Sequence, residues 1–99
     1  MQFVVTAMDY TDADAPARRL ANREAHLAGV RELIAMGHLL SGGAILDDQG
    51  KMIGSTMHLD FPDRASLDQT LQNDPYVKGK VWDKIDIRQA RIVPHTRQN

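Results

Sequence analysis

The chain reads as an α+β domain, and three observations predict it. A β-branched, aromatic run opens the sequence at Gln2–Met8, with Phe3, Val5 and Ala7 alternating against Gln2, Val4 and Thr6. A long stretch of good helix formers then runs from Pro16 to Met36 and stops at Gly37. Two further strand-like runs flank the turn Asp47-Asp48-Gln49-Gly50, the mark of a hairpin.

The first strand is apolar on both faces, which suits an inner position. Asp9 to Asp14 is an acidic loop able to end in an N-cap at Asp12 or Asp14, and Pro16 fits the first helical turn, where its missing N–H costs little. The helix is long enough to cross a small sheet. Leu20, Leu27, Val30 and Ile34 share one stripe at roughly 100° per residue, with Arg23 near its middle and His26 on its edge. The second strand spans His38 to Leu46. The pair Gly42-Gly43 inside it predicts a bulge or a close backbone approach. The third strand returns over Lys51 to Asp60. Asp63 then caps a shorter helix from Arg64 to Gln72, with Leu67 and Leu71 inward. Asp74-Pro75 resembles the cap and first residue of another helical turn. The last strand is expected over Lys84 to Val93. Ile85 and Ile87 are out of phase with Ala90 and Ile92 there, which predicts a bulge near Gln89. The resulting order, strand, helix, strand, strand, helix, strand, is the ferredoxin-like βαββαβ arrangement: an antiparallel sheet with both helices on one face. The domain is expected over residues 1–95, and residues 96–99 are a polar tail.

Bulk composition narrows the function. At 99 residues the chain has room for one domain. A domain of that size buries about 60–65% of its unfolded surface, so a dimer interface would help it. Its residues are 42% hydrophobic and 25% charged, as in ordinary globular proteins. Twelve basic against thirteen acidic residues leave a formal charge of −1, which points to neither nucleic-acid nor membrane partners. Cysteine is absent, which excludes disulfides, thiolate metal sites and cysteine nucleophiles. With no basic leader and no apolar run of about 20 residues, a cytoplasmic location is expected.

Few residues could carry chemistry. A guanidinium on the packing stripe needs an anion, a route to water or a ligand, so Arg23 is either a snorkelling rim residue or an anion holder. His26 lies three residues on, the same side of the helix. A lone helix histidine is more often structural than catalytic, but a nearby cation favours the neutral imidazole that acts as a base. Asp74 reads first as an N-cap and second as the acid that orients His26. Ser41, Gly42 and Gly43 offer backbone N–H groups to a ligand oxygen, without the lysine of a phosphate loop. His38, His58 and His95 lack a metal-binding rhythm. His58 and Asp60 share a strand face but want a third ligand, so no metal is expected. Tyr76 and Trp82, flanking a lysine-rich run, read as a packed indole under a solvated loop, or as an aromatic pocket rim.

Together these features resemble the YCII-related (YciI-like) family. The resemblance rests on Arg23-x-x-His26-Leu27, the helix ending at Gly37, Leu40-Ser41-Gly42-Gly43-Ala44, Gly54-Ser55 and Asp74-Pro75-Tyr76, in that order over about Phe3 to Val93. It implies a dimeric α+β barrel, in which two ferredoxin-like sheets pack face to face as a homodimer. It further implies a pocket around a histidine and an aspartate, here His26 and Asp74. The family is similar in fold to muconolactone isomerases and includes a dehydrochlorinase acting on a chlorinated hydroxyhydroquinone. The implied activity is acid–base chemistry, without cofactor, on a small anionic or aromatic metabolite. His26 would move the proton, Asp74 would orient it, Arg23 would hold an anionic group, and Ser41, Gly42 and Gly43 would face developing oxyanion charge. Two other readings compete: a non-catalytic small-molecule-binding dimer, and a purely structural arrangement in which Arg23 pairs with Asp74 and His26 is a satisfied core residue.

Overall fold

The computed structural model describes residues 1–94, so the polar tail lies outside the described residues. The chain runs β1 (Gln2–Asp9), α1 (Ala15–Ala35), β2 (Leu39–Leu46), β3 (Met52–Asp60), α2 (Arg64–Gln72), α3 (Pro75–Lys78) and β4 (Trp82–Ala90). The four strands form one antiparallel sheet in the order β2-β3-β1-β4. This is the expected ferredoxin-like split arrangement, with α3 added as a single turn between α2 and β4.

The alternation in β1 decides which face is covered. Phe3, Val5 and Ala7 are buried beside Met57 and Leu59 of β3, and the core they start takes in Leu67 and Leu71 of α2, Tyr76 of α3, and Val81 and Trp82. Each fully buried residue of this size contributes about 1.5–3 kcal/mol. The opposite face carries Val4, Thr6 and Met8 in register with His58, Thr56 and Gly54, and with Arg88, Asp86 and Lys84. No helix packs on that face among the described residues, and its strand residues keep intermediate or high exposure except at Gly54.

Local signals fix most of the ends. Gly37 stops α1 at φ 78°, the left-handed conformation a β-carbon disfavours. The Asp63 carboxylate accepts from Ser66 N–H at 2.8 Å and caps α2. Asp74 does the same for Tyr76 N–H at 2.8 Å. At the start of α1 the cap position falls on Asp14, which makes no side-chain capping bond. Asp12 instead binds Arg18 through both oxygens, at 2.7 and 2.8 Å.

Two expectations need correcting. The bulge expected near Gln89 is absent: β4 pairs with β1 without a break from Ala90 to Lys84, and the register shifts at Asp83 instead. Ile92 is out of phase because the strand has already ended at Ala90; its N–H donates to Gln2 Oε1 at 2.8 Å. The stripe assigned to α1 is also turned. Leu20 is 74% exposed and Ile34 57%, whereas Ala15, Arg19 and His26 are buried. The true inward line, continued by Val30 and Leu33 against the core, lies on the other side of Arg23 from Leu20 and Ile34. Arg23 is itself exposed.

Candidate functional site

Turning the helix puts two polar side chains under it, two turns apart. The first is Arg19, which the sequence reading passed over. One of its terminal nitrogens donates to both oxygens of Asp9 at 2.9 Å, and the other to the Gly54 carbonyl and Ser55 Oγ, each at 3.1 Å. Ser55 Oγ also accepts from the Trp82 indole N–H at 3.1 Å. Arg19 Nε is sealed from solvent and lacks a partner among the described residues. Burial pushes the Asp9 carboxyl up from its ordinary value, and the guanidinium beside it opposes that only in part. The pair is therefore costly to keep dry and is held by its surroundings. One clue to it existed in the sequence: Ala15, Arg19, His26, Val30 and Leu33 follow helical spacing as regularly as the apolar stripe does. Its partner, an aspartate at the end of β1, could not be read locally.

The second is His26. Its Nδ1–H donates to Asp74 Oδ1 at 2.8 Å across 48 positions of sequence, and the two side chains are 10% and 13% exposed. A carboxylate only accepts, so the proton of this bond sits on Nδ1 and the lone pair of the neutral ring sits on Nε2. Nε2 has no protein partner among the described residues. The imidazole stacks on the Tyr76 ring, 3.9 Å between centroids and 9° between planes, and meets Trp82 edge-on at 5.6 Å. The Arg19 guanidinium lies over the same tyrosine, 4.8 Å from its centroid. Asp74 thus holds both ends of the stack, through the His26 ring and through the Tyr76 backbone.

Of these groups, Arg19, Ser55, His26 and Tyr76 line a pocket of about 510 Å³ between α1 and the β2–β3 hairpin. Leu27, Val30 and Ile34 form its helical wall and Met57 lies on its floor. Gly42 allows the close backbone approach of β2 to β3 beside the pocket, because a β-carbon there would stand 2.9 Å from the Thr56 carbonyl oxygen. Arg23 borders the pocket and makes no ion pair or hydrogen bond among the described residues. The arrangement in which Arg23 pairs with Asp74 is therefore not the one present. Ser41, Gly42 and Gly43 border the pocket from β2, just past a register shift at Leu40. The Ser41 hydroxyl is engaged elsewhere, 2.9 Å from His58 Nδ1 on the uncovered side of the sheet. His38 donates from Nδ1 to the Asp60 carbonyl at 2.8 Å and stacks on Phe61, a structural role. No cluster of three metal-ligating side chains occurs among the described residues.

The model of the YCII-related domain matches residues 1–91. The chain belongs to the YCII-related family. Its fold is that of the ferredoxin-like, dimeric α+β barrel class. Among solved structures, the 5-chloro-2-hydroxyhydroquinone dehydrochlorinase TftG of Burkholderia phenoliruptrix AC1100, in complex with 2,5-dihydroxybenzoquinone, superposes with a TM-score of 0.79. It is 23% identical, over 92% of this chain and 94% of that one. Rv0793 of Mycobacterium tuberculosis superposes with a TM-score of 0.50 at 14% identity, over 96% and 97% of the two chains. These likenesses bear on fold alone. No curated protein matches the sequence.

Proposed function

We propose that this YCII-related protein is an acid–base enzyme acting, without a cofactor, on a small anionic or aromatic metabolite. The observation that carries the reading is the 2.8 Å His26–Asp74 bond, which leaves Nε2 unpartnered at a pocket bordered by the unpaired cation Arg23. In this mechanism Nε2 takes a proton from a hydroxyl or from carbon next to a carbonyl. The imidazolium so formed is stabilised by Asp74, which stays ionised. The electron pair left on the substrate becomes oxyanion charge, held by Arg23 and by backbone N–H groups of Ser41, Gly42 and Gly43. The pair can then collapse in one of two ways. It accepts the proton from Nε2 at another carbon, which is an isomerisation, or it expels a leaving group with its bonding electrons, which is an elimination. Neither needs an oxidant or a second substrate. Similarity in fold to a dehydrochlorinase is compatible with the second course and does not select it.

The same reading makes the protein a cytoplasmic homodimer. The helix-free face of the sheet, centred on Val4, Thr6 and Met8, is where a second copy would pack to close a barrel. A sedimentation run at micromolar concentration is expected to give a dimer, and a monomer would remove the barrel from the proposal.

The enzymatic claim is tested with a panel of small carboxylates, phenolates and hydroxyquinones, including 2,5-dihydroxybenzoquinone, screened for thermal stabilisation and then for turnover. Ligands that stabilise the wild type and are consumed by it, but not by His26→Asn, support the acid–base reading. Ligands that bind both proteins and are turned over by neither favour the non-catalytic binding dimer.

A further inference from the structure

Tyr76 is 2% exposed and held on several sides: His26 stacks on its ring, Trp82 meets it edge-on at 5.5 Å, and Arg19 lies over it. A phenol packed this tightly ordinarily finds a hydrogen-bond partner for its hydroxyl. Among the described residues this one has none. Nor is it sealed away, since the sealed, unpartnered polar side-chain atom among them is Arg19 Nε and not the Tyr76 oxygen. Tyr76 lines the pocket, and its hydroxyl is not among the side-chain atoms sealed from solvent without a partner. Phenylalanine would make the same stack. The oxygen is thus unexplained by packing.

The sign of the interaction follows from the surroundings. Burial raises the phenol above its ordinary value, with Arg19 and Arg23 opposing, so it keeps its proton near neutrality and can donate. Ser55, whose hydroxyl is another polar group on this pocket, already accepts from both Arg19 and Trp82. We infer that the Tyr76 hydroxyl is the donor that recognises a ligand oxyanion, working beside Arg23 while His26 Nε2 takes the proton. The selected class is a hydroxylated ring or enol whose ionised oxygen reaches the tyrosine. This assignment rests on the acid–base reading above.

The test uses 2,5-dihydroxybenzoquinone as the probe, with calorimetric titration of the full-length wild type and of Tyr76→Phe. Two results are expected together. The variant should bind the probe about 10-fold or more weakly, as for a lost hydrogen bond to a charged acceptor. Its melting temperature without probe should equal or exceed that of the wild type, because no bond within the protein is broken. Equal affinity in the two proteins overturns the role of Tyr76 and leaves the acid–base reading standing. A lower melting temperature of the unliganded variant also overturns it, since the hydroxyl would then have a structural partner. Failure of the wild type to bind the probe counts against both.

Discussion

Two charged pairs hang beneath the same helix, and they differ in what they leave over. Arg19 and Asp9 are about as buried as His26 and Asp74, and the bonds within each pair are of similar length. The Arg19 guanidinium spends its terminal donors on Asp9, Gly54 and Ser55, and Ser55 in turn receives Trp82. In that cluster the donor left over, Arg19 Nε, is sealed from solvent. The cluster ties the end of β1 to α1, β3 and the start of β4. In the second pair Asp74 takes one nitrogen of His26 and leaves the other without a partner among the described residues, and both His26 and Tyr76, whose hydroxyl also has no partner there, line the pocket. Burial and an ion pair do not by themselves mark a reactive site; an unspent donor or acceptor facing a cavity does.

If that distinction holds, the two pairs should fail differently. The largest effect is expected at His26→Asn, whose amide can keep the bond to Asp74 while removing the base. Turnover should fall by about 10²–10⁴-fold with the fold retained, as read by steady-state kinetics on a substrate from the panel and by circular dichroism. A loss of structure without a specific loss of rate would merge the two pairs into one structural class. Next comes Arg19→Ala, which strands the Asp9 carboxylate in a dry site and should cost about 3–5 kcal/mol in denaturant unfolding. Arg19→Met combined with Asp9→Leu should recover much of that, because no charge is left unpaired. Failure of the double variant to recover would mean that the pair positions its neighbours rather than compensating its own burial.

The smallest effect belongs to the exposed pair of Asp12 and Arg18, where the hydrogen bonds from Arg18 hold the Asp12 carboxyl at about 2 instead of 3.8. Its folded value is depressed, so its contribution is present above pH 3.8 and fades as the pH falls toward about 2. Asp12→Asn should slightly lower the melting temperature above pH 3.8, and the difference from the wild type should vanish as the pH falls toward about 2. Asp9 should behave oppositely. Its folded value is raised, so folding favours the protonated form relative to the unfolded chain, and its own contribution improves as acid is added.

The fold was legible because its signals are local. The alternation at Phe3, Val5 and Ala7, the left-handed stop at Gly37, the cap at Asp63 and the turn closed by Gly50 each act within a few residues. The rotation of α1 was not legible. Leu20 and Ile34 look like core residues, and Arg19 does not, until Asp9 arrives from another strand to neutralise it. The fourth strand was misread for a related reason: it ends at Ala90 and takes its irregularity at Asp83, both fixed by pairing with β1.

The sequence alone determined the order of elements and offered His26, Asp74 and Arg23 as candidates. Only the tertiary structure decided that His26 and Asp74 touch, that Arg23 stands free, that Arg19 is the buried cation, and that Tyr76 brings an unsatisfied hydroxyl to the pocket. Strand and cap signals operate over distances the chain spans in a few residues. Pairing a charge across 48 positions depends on how two helices settle on one sheet, and no local pattern encodes that.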